Sequence, residues 1–385
     1  SEIELKPLLN GKPIHLNIQF SEPLISEEKN DWLAGIKIEP IKYKNNVGGK
    51  LETSTGVLII GHDNAGYTVD EINSFISKLK WPVIAENPIS FPQALPHAVL
   101  YLSDPKIRQV LAPENIIVIG RTTLSRSTNE FIKLAKNLTV IDPRIADVDN
   151  NRQADLLVKS LPIDVVSEST SIDIWQKSSD LAAIEIKKLV WSEQAAIKCI
   201  CESLTSMSAL FVGSSRPVRD IEAFTKFQTG VFVFANRGLA GIDGNISTVF
   251  GIAKKYQVTN AIMGDLTFLH DISALTNSSK ENLRIFVIDN NGGGIFSTLP
   301  QAGSTGFEQV FGTPHNLDLV KVISGFGVSV SRVSELAGLE LITKKPIKGF
   351  EVVVVQVPSR EVNAQMLKEI TQRVSSAVRI GINLA

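Results

Sequence analysis

Asp265 and Asn290 are the residues of this 385-residue chain whose types and settings speak most directly of chemistry. The aspartate follows the apolar run Ala261-Ile262-Met263 and a glycine, Gly264. The asparagine follows the almost wholly apolar run Leu283 to Ile288 and opens the string Asn290-Asn291-Gly292-Gly293. Such runs predict parallel strands covered on both faces. Between them, residues 266 to about 275 predict an amphipathic helix. Two adjacent parallel strands would deliver both side chains to one carboxyl edge, where open α/β sheets bind ligands. A carboxylate, an amide oxygen and exposed carbonyls of a glycine-rich turn make an incomplete octahedral set for Mg²⁺ or Mn²⁺, to be completed by water and a ligand phosphate. Glycines at 292 and 293 would let the backbone approach that phosphate with no Cβ in the way. The same residues read equally as a helix N-cap at Asp265 followed by a Gly-rich surface turn.

Basic residues at other strand ends suggest an anionic ligand. Arg121 and Arg126 follow the apolar strand Asn115 to Ile119. The segment Ser214-Ser215-Arg216-Pro217-Val218-Arg219-Asp220 follows the strand Leu210 to Val212 and turns into a helix, a ready anion site. An arginine fork is the side chain that best grips a carboxylate. His315 reads as a structural or exposed histidine, and Gly61-His62-Asp63-Asn64-Ala65-Gly66 as a turn that lacks a dinucleotide fingerprint.

The Gly264-Asp265 pair, with Asn290-Asn291 following 25 positions after Asp265, resembles the thiamine diphosphate motif, which runs from Gly-Asp-Gly to Asn-Asn. Leu266 departs from the general pattern at the third position. The Gly-Asp-Leu form, with Asn-Asn-Gly-Gly and Ile295-Phe296 behind it, is similar to one branch. That branch is the 2-succinyl-5-enolpyruvyl-6-hydroxy-3-cyclohexene-1-carboxylate (SEPHCHC) synthases of menaquinone biosynthesis. Ala235-Asn236-Arg237-Gly238-Leu239-Ala240-Gly241-Ile242-Asp243-Gly244-Asn245 is the string most specific to it.

The resemblance implies thiamine diphosphate, with the divalent ion held by Asp265, Asn290 and the Gly292 carbonyl. Gly241, Ile242, Asp243, Gly264, Leu266 and Gly293 would complete the cofactor site, Ile242 supporting its bent form. Ser215, Arg219, Arg237 and Arg126 would hold substrate carboxylates, with Ile295, Phe296 and Leu299 as apolar wall. Arg216 falls where the family keeps no basic residue. The implied transferase reaction is a decarboxylative condensation of 2-oxoglutarate with isochorismate. Both substrates are multiply anionic, which gives the arginines a purpose in a chain of net charge −1.

Strand and helix signals alternate along most of the chain, predicting two doubly wound parallel-sheet α/β domains. A central domain is expected over 36–180 and a pyrophosphate- and Mg²⁺-binding domain over 181–385, with Ser167 to Ser171 as linker. Residues 1–35, including a strand at 13–18, read as the end of a pyrimidine-binding domain. The family's activating glutamate belongs to that domain and has no match here, so the expectation is a partial chain, inactive alone, from a protein that is a homodimer or homotetramer when intact. Hydrophobic content of 43% and charged content of 21% fit an ordinary globular protein. The charge balance gives no basic field for nucleic acid, and no apolar run nears the ~20 residues of a membrane helix. Cys199 and Cys201 read as unpaired packing residues of a cytoplasmic protein. Three other readings stay open: another thiamine lyase such as an acetolactate synthase, a non-catalytic or split thiamine-binding subunit, and a nucleotide-dependent dehydrogenase.

Overall fold

The computed structural model describes residues 48–121, 125–143, 154–238, 240–277 and 280–384. The segment 1–35 and its expected strand at 13–18 lie outside the described residues, as do Thr122 to Leu124 and Leu239. Thirteen strands appear among the described residues, every pairing between them parallel. They are β1 (Lys50–Thr53), β2 (Gly56–Ile60), β3 (Val83–Ala85), β4 (Asn115–Ile119), β5 (Asn137–Ile141), β6 (Leu156–Val158), β7 (Asp164–Ser167), β8 (Ala209–Val212), β9 (Phe232–Phe234), β10 (Thr259–Gly264), β11 (Leu283–Asp289), β12 (Ser329–Val333) and β13 (Phe350–Gln356).

The central sheet has the order β3-β2-β4-β5-β6 and the C-terminal sheet the order β12-β13-β11-β10-β8-β9, while β1 and β7 form a small pair. The central sheet reverses its direction of growth between β2 and β4, and the C-terminal sheet between β8 and β10 and again where β13 inserts between β11 and β12. The doubly wound α/β class read from the sequence is therefore the observed one, and ligands are expected at those reversals.

Period-two alternation, with both faces covered, explains why the inner strands are apolar on both sides. Val57 and Ile59 of β2 join one core with Ile116 and Val118, under the helices Asp173–Ile186 and Arg360–Gly381. Leu58 and Ile60 face the other way, against Ile72, Phe75 and Ile76 of the helix Val69–Leu79. The C-terminal sheet does the same: Leu210, Ile262 and Phe286 share one face, Phe211, Met263 and Val287 the other.

Three expectations need correction. The boundary at residue 180 falls inside the continuous helix Asp173–Ile186, and Ile370, Val374 and Val378 of the C-terminal helix complete the core of the central sheet. The stretch from 167 to 171 is stitched down: Trp81 Nε1 donates to the Glu168 carbonyl at 2.9 Å, and the Gly56 N–H donates to Thr170 Oγ1 at 2.8 Å. The helix expected from 266 to about 275 is two pieces, Asp265–His270 and a 3₁₀ turn Ile272–Thr276, broken at Asp271. No helix of the described residues is long and apolar enough to cross a membrane.

Candidate active site

Strands β10 and β11 lie side by side in register, Met263 opposite Val287 and Gly264 opposite Ile288. Their ends carry Asp265 and Asn290 to one cavity of about 330 Å³, at the switch point of the sheet. Asp265 is only 2% exposed and opens its short helix. Its Oδ1 accepts the Leu266 N–H at 2.6 Å and its Oδ2 the Gly292 N–H at 2.8 Å. Asn290 is 7% exposed; its amide nitrogen faces Glu193 Oε2 at 3.5 Å, and its Oδ1 has no hydrogen-bond partner among the described residues. Gly264, Leu266, Gly292, Gly293, Ile242, Ser215, Arg237, Ile295 and Phe296 line the same cavity.

The glycines at 292 and 293, which line the cavity, are also needed for a reason the sequence did not show. A Cβ on Gly292, at φ +136°, would stand 2.2 Å from the Gly312 carbonyl oxygen, and one on Gly293 would stand 2.2 Å from that of Phe311. They are required by the loop 311–316 packed behind them. The Gly293 N–H donates to Gly312 O at 2.8 Å, and the Asn316 N–H to Asn291 Oδ1 at 2.8 Å. That loop brings His315, read as a bystander, into the centre: its Nε2 is 3.3 Å from Asp265 Oδ2 and 3.6 Å from Asp289 Oδ1. The hydrogen bond to Asp265 raises the His315 pKa. Asp265, Asp289 and His315 can each bring a ligand atom within 4.8 Å of the others.

A second cavity of about 520 Å³ shares Arg216, Arg219 and Ile295 with the first, and adds Arg126, Leu299 and Glu222. Three of its polar side chains come from the helix Arg216–Phe224, entered through Ser215 at φ +76°, a strained value for serine. Arg216, set aside in the sequence, is buried and paired with Asp220. Burial pushes Asp220 up to about 6, against the pull of Arg216. Arg219 Nη1 donates to the Ser215 carbonyl at 2.7 Å; burial and its neighbours Arg216 and Arg237 lower its pKa.

Arg237 lines the first cavity and also has a charged neighbour: its Nη2 stands 3.1 Å from Glu86 Oε1, an ion pair without hydrogen-bond geometry. Gly241 and Asp243 do not line the cavity; the exposed Asp243 carboxylate folds back over Gly241. The turn at 61–66 is closed by its own Asp63, whose Oδ1 accepts the N–H groups of Ala65 and Arg121.

Glu193 was not anticipated either. It sits on the buried face of the helix Glu193–Glu202, in the first cavity, where burial and then Asp220 push it up to about 8. An acid among the apolar positions of an amphipathic helix was the available clue.

Residues 221–357 match the family described as "Thiamine pyrophosphate enzyme, C-terminal TPP binding domain", a span that contains Arg237, Ile242, Asp265 and the whole 289–296 loop. The chain is 28% identical to the 2-succinyl-5-enolpyruvyl-6-hydroxy-3-cyclohexene-1-carboxylate synthase of Lysinibacillus sphaericus, over 95% of this chain and 71% of that protein. It is 29% identical to the synthase of Thermobifida fusca, over 95% and 70%. It is 32% identical to that of Staphylococcus saprophyticus, over 80% of this chain and 59% of that protein. Over most of its length the chain is thus similar to SEPHCHC synthases.

The residues present fit the cofactor that this domain is named for. Asn290 Oδ1 is a buried acceptor lacking a partner, Asp265 keeps lone pairs beyond its two backbone contacts, and both face one cavity. The Gly292 carbonyl accepts the Gly294 N–H at 2.9 Å and keeps a second lone pair. Such oxygens suit a hard cation rather than a soft one. Cys199 and Cys201 are free, and burial pushes the Cys199 thiol up to about 11.

Proposed function

We propose that this chain carries the cofactor and substrate site of a SEPHCHC synthase, joining 2-oxoglutarate to isochorismate with loss of carbon dioxide. The observation that carries the reading is the meeting of Asp265 and the unpartnered Asn290 oxygen in a cavity that shares Arg216, Arg219 and Ile295 with an arginine-lined one. When bound, thiamine diphosphate supplies the electron sink for the decarboxylation. Asp265, Asn290 and the Gly292 carbonyl would hold Mg²⁺ against its diphosphate, and Ile242 would sit under the cofactor as an apolar prop. Arg219, with Ser215 beside it, and Arg126 across the second cavity would draw in carboxylates. Ile295, Phe296 and Leu299 would keep water from the reacting carbons.

The relatives are named as synthases, and Arg219 with Arg126 gives this chain the charge that a dicarboxylic acid requires. Calorimetric titration of the chain with thiamine diphosphate, with and without Mg²⁺, tests the metal site. Binding should need the metal and vanish in Asp265→Ala. Substrate choice is then read from competition: 2-oxoglutarate should bind the loaded chain and pyruvate should not. Preference for pyruvate would move the assignment to another thiamine lyase.

A further inference from the structure

The second cavity holds a carboxyl group that this reading leaves idle. Glu222 lies one helical turn beyond Arg219, so the two side chains rise from neighbouring positions on one face. It is 5% exposed and lines the cavity with Arg126 and Arg219. Its Oε1 is buried without a close hydrogen-bond partner among the described residues, and the Thr128 hydroxyl, itself buried and unpartnered, is the neutral polar group that stands toward the carboxyl. A folded chain rarely leaves such an atom unmatched unless something else comes to meet it.

The surrounding charges decide which form it takes. Asp220 is committed to Arg216, and Glu86 faces Arg237. Facing Glu222 are Arg219 from its own helix, Glu86 from the end of β3, Arg237 from the segment after β9, and the Thr128 hydroxyl from the helix Arg126–Ile132. Arg126 and Arg216 line the same cavity. Burial, and then the Glu86 carboxylate, raise the Glu222 pKa well above the usual range, against the pull of Arg219 and Arg237. An ionised Glu222 would compete with an anionic ligand for Arg219. A proton-bearing one leaves that cation available and adds a donor of its own.

We propose that Glu222 is a specificity-determining residue that donates a hydrogen bond to isochorismate where Arg219 and Arg126 draw in its carboxylates. The proposal rests on the synthase reading above. The cavity's volume of about 520 Å³ and its walls of Leu100, Ile295 and Leu299 suit the faces of a six-membered ring. Two cations and one neutral carboxyl match two carboxylates and a hydroxyl. The carboxyl can donate to an oxygen and accept from the ring hydroxyl.

Isochorismate binding to the full chain loaded with thiamine diphosphate and Mg²⁺ is measured by calorimetry from about pH 6 upward, to the highest pH at which the chain stays folded. Wild type should weaken ~10-fold or more as Glu222 loses its proton. Glu222→Gln, which keeps a donor of the same shape, should match wild type at the acid end and stay flat. Glu222→Leu should bind ~10-fold more weakly at the acid end. A Gln variant with the wild-type pH profile, or a Leu variant with wild-type affinity, overturns the proposal. Cofactor uptake in the same titrations separates the two readings. If wild type takes up no cofactor, the synthase reading fails and the role of Glu222 falls with it. If cofactor binds normally and only the isochorismate results disagree, the Glu222 assignment alone is lost.

Discussion

His315 Nε2 stands 3.3 Å from the same Asp265 oxygen that accepts the Gly292 N–H at 2.8 Å. One carboxylate is thus held by two loops, 289–294 and 311–316, before any ligand arrives. Partners that orient a metal-binding carboxylate typically matter by ~10–100-fold in metal affinity. His315→Ala should therefore weaken Mg²⁺-dependent binding of thiamine diphosphate by about that factor. Titration of Mg²⁺ at saturating cofactor measures it. An unchanged Mg²⁺ affinity would mean that His315 only fills space.

The same two loops make an unequal pair of glycine substitutions informative. Gly292→Ala puts a methyl group 2.2 Å from the Gly312 carbonyl oxygen, and backbone is what must move. Overpacking of that kind costs about 1–3 kcal/mol, and the displaced loop is the one that carries His315. Gly264, on the other side of the cavity, has nothing within 4 Å of its Cβ position. Gly264→Ala should change stability by less than about 0.5 kcal/mol. Urea denaturation of both variants checks the contrast, and equal losses would contradict the loop-packing explanation.

What the chain shows in advance, and what it hides, follows from how far apart the interacting residues lie. The apolar runs of β2, β4, β8, β10 and β11 are buried on both faces and can be read locally. Asp265 and Asn290 sit at the ends of two such runs, so their meeting was readable as well. β12, with the sequence Ser-Val-Ser-Arg-Val, is an edge strand of mixed exposure and carried no such pattern. Arg237 finds Glu86 from across the chain, and His315 finds Asp265 through a loop with no periodicity. Side-chain pairings of this range leave no trace in local spacing, so the sequence marks cations without marking which of them are already balanced. Glu222 was hidden for that reason: burial, and then the Glu86 carboxylate at the end of a strand in the other sheet, raise its pKa.

Arg284 breaks the apolar run of β11, and its partner lies directly across the sheet. Arg284 is opposite Glu351 in the β11–β13 register; their side chains pair at 2.7 Å, and the guanidinium also donates to the carbonyls of Ile342 and Lys345. Removing one member of a fully buried pair costs about 3–5 kcal/mol. Glu351 is 29% exposed, so Glu351→Leu should cost less, about 2 kcal/mol. The double variant Arg284→Met with Glu351→Leu should recover most of that, because no buried charge is left alone. A chemical-denaturation cycle over the four proteins decides it. A double variant no more stable than Glu351→Leu would show that the carbonyl contacts, not the ion pair, hold Arg284.

His97 ties the central sheet to the arginine-bearing helix, and this gives stability a predictable acid limb. Its Nδ1 lies 2.8 Å from the Ala223 carbonyl oxygen, next to Glu222, and its backbone holds φ +66°. Burial lowers its pKa from 6.5 to about 4. A base with a depressed folded-state pKa contributes fully above 6.5 and loses that contribution as pH falls through about 4, because the unfolded chain takes up the proton first. The interval corresponds to ~3 kcal/mol. Burial lowers His62 too, while Asp220 and Glu193 shift upward and act in the opposite sense, so the raw pH profile is a composite. The difference between wild type and His97→Asn isolates one share of it, since asparagine tolerates the same backbone angle and does not titrate. Denaturation midpoints taken near neutrality and near pH 4.5 should show a loss on acidification that is smaller in the variant. Equal losses in the two proteins would place the acid sensitivity elsewhere and leave the His97–Ala223 contact a purely steric joint between sheet and helix.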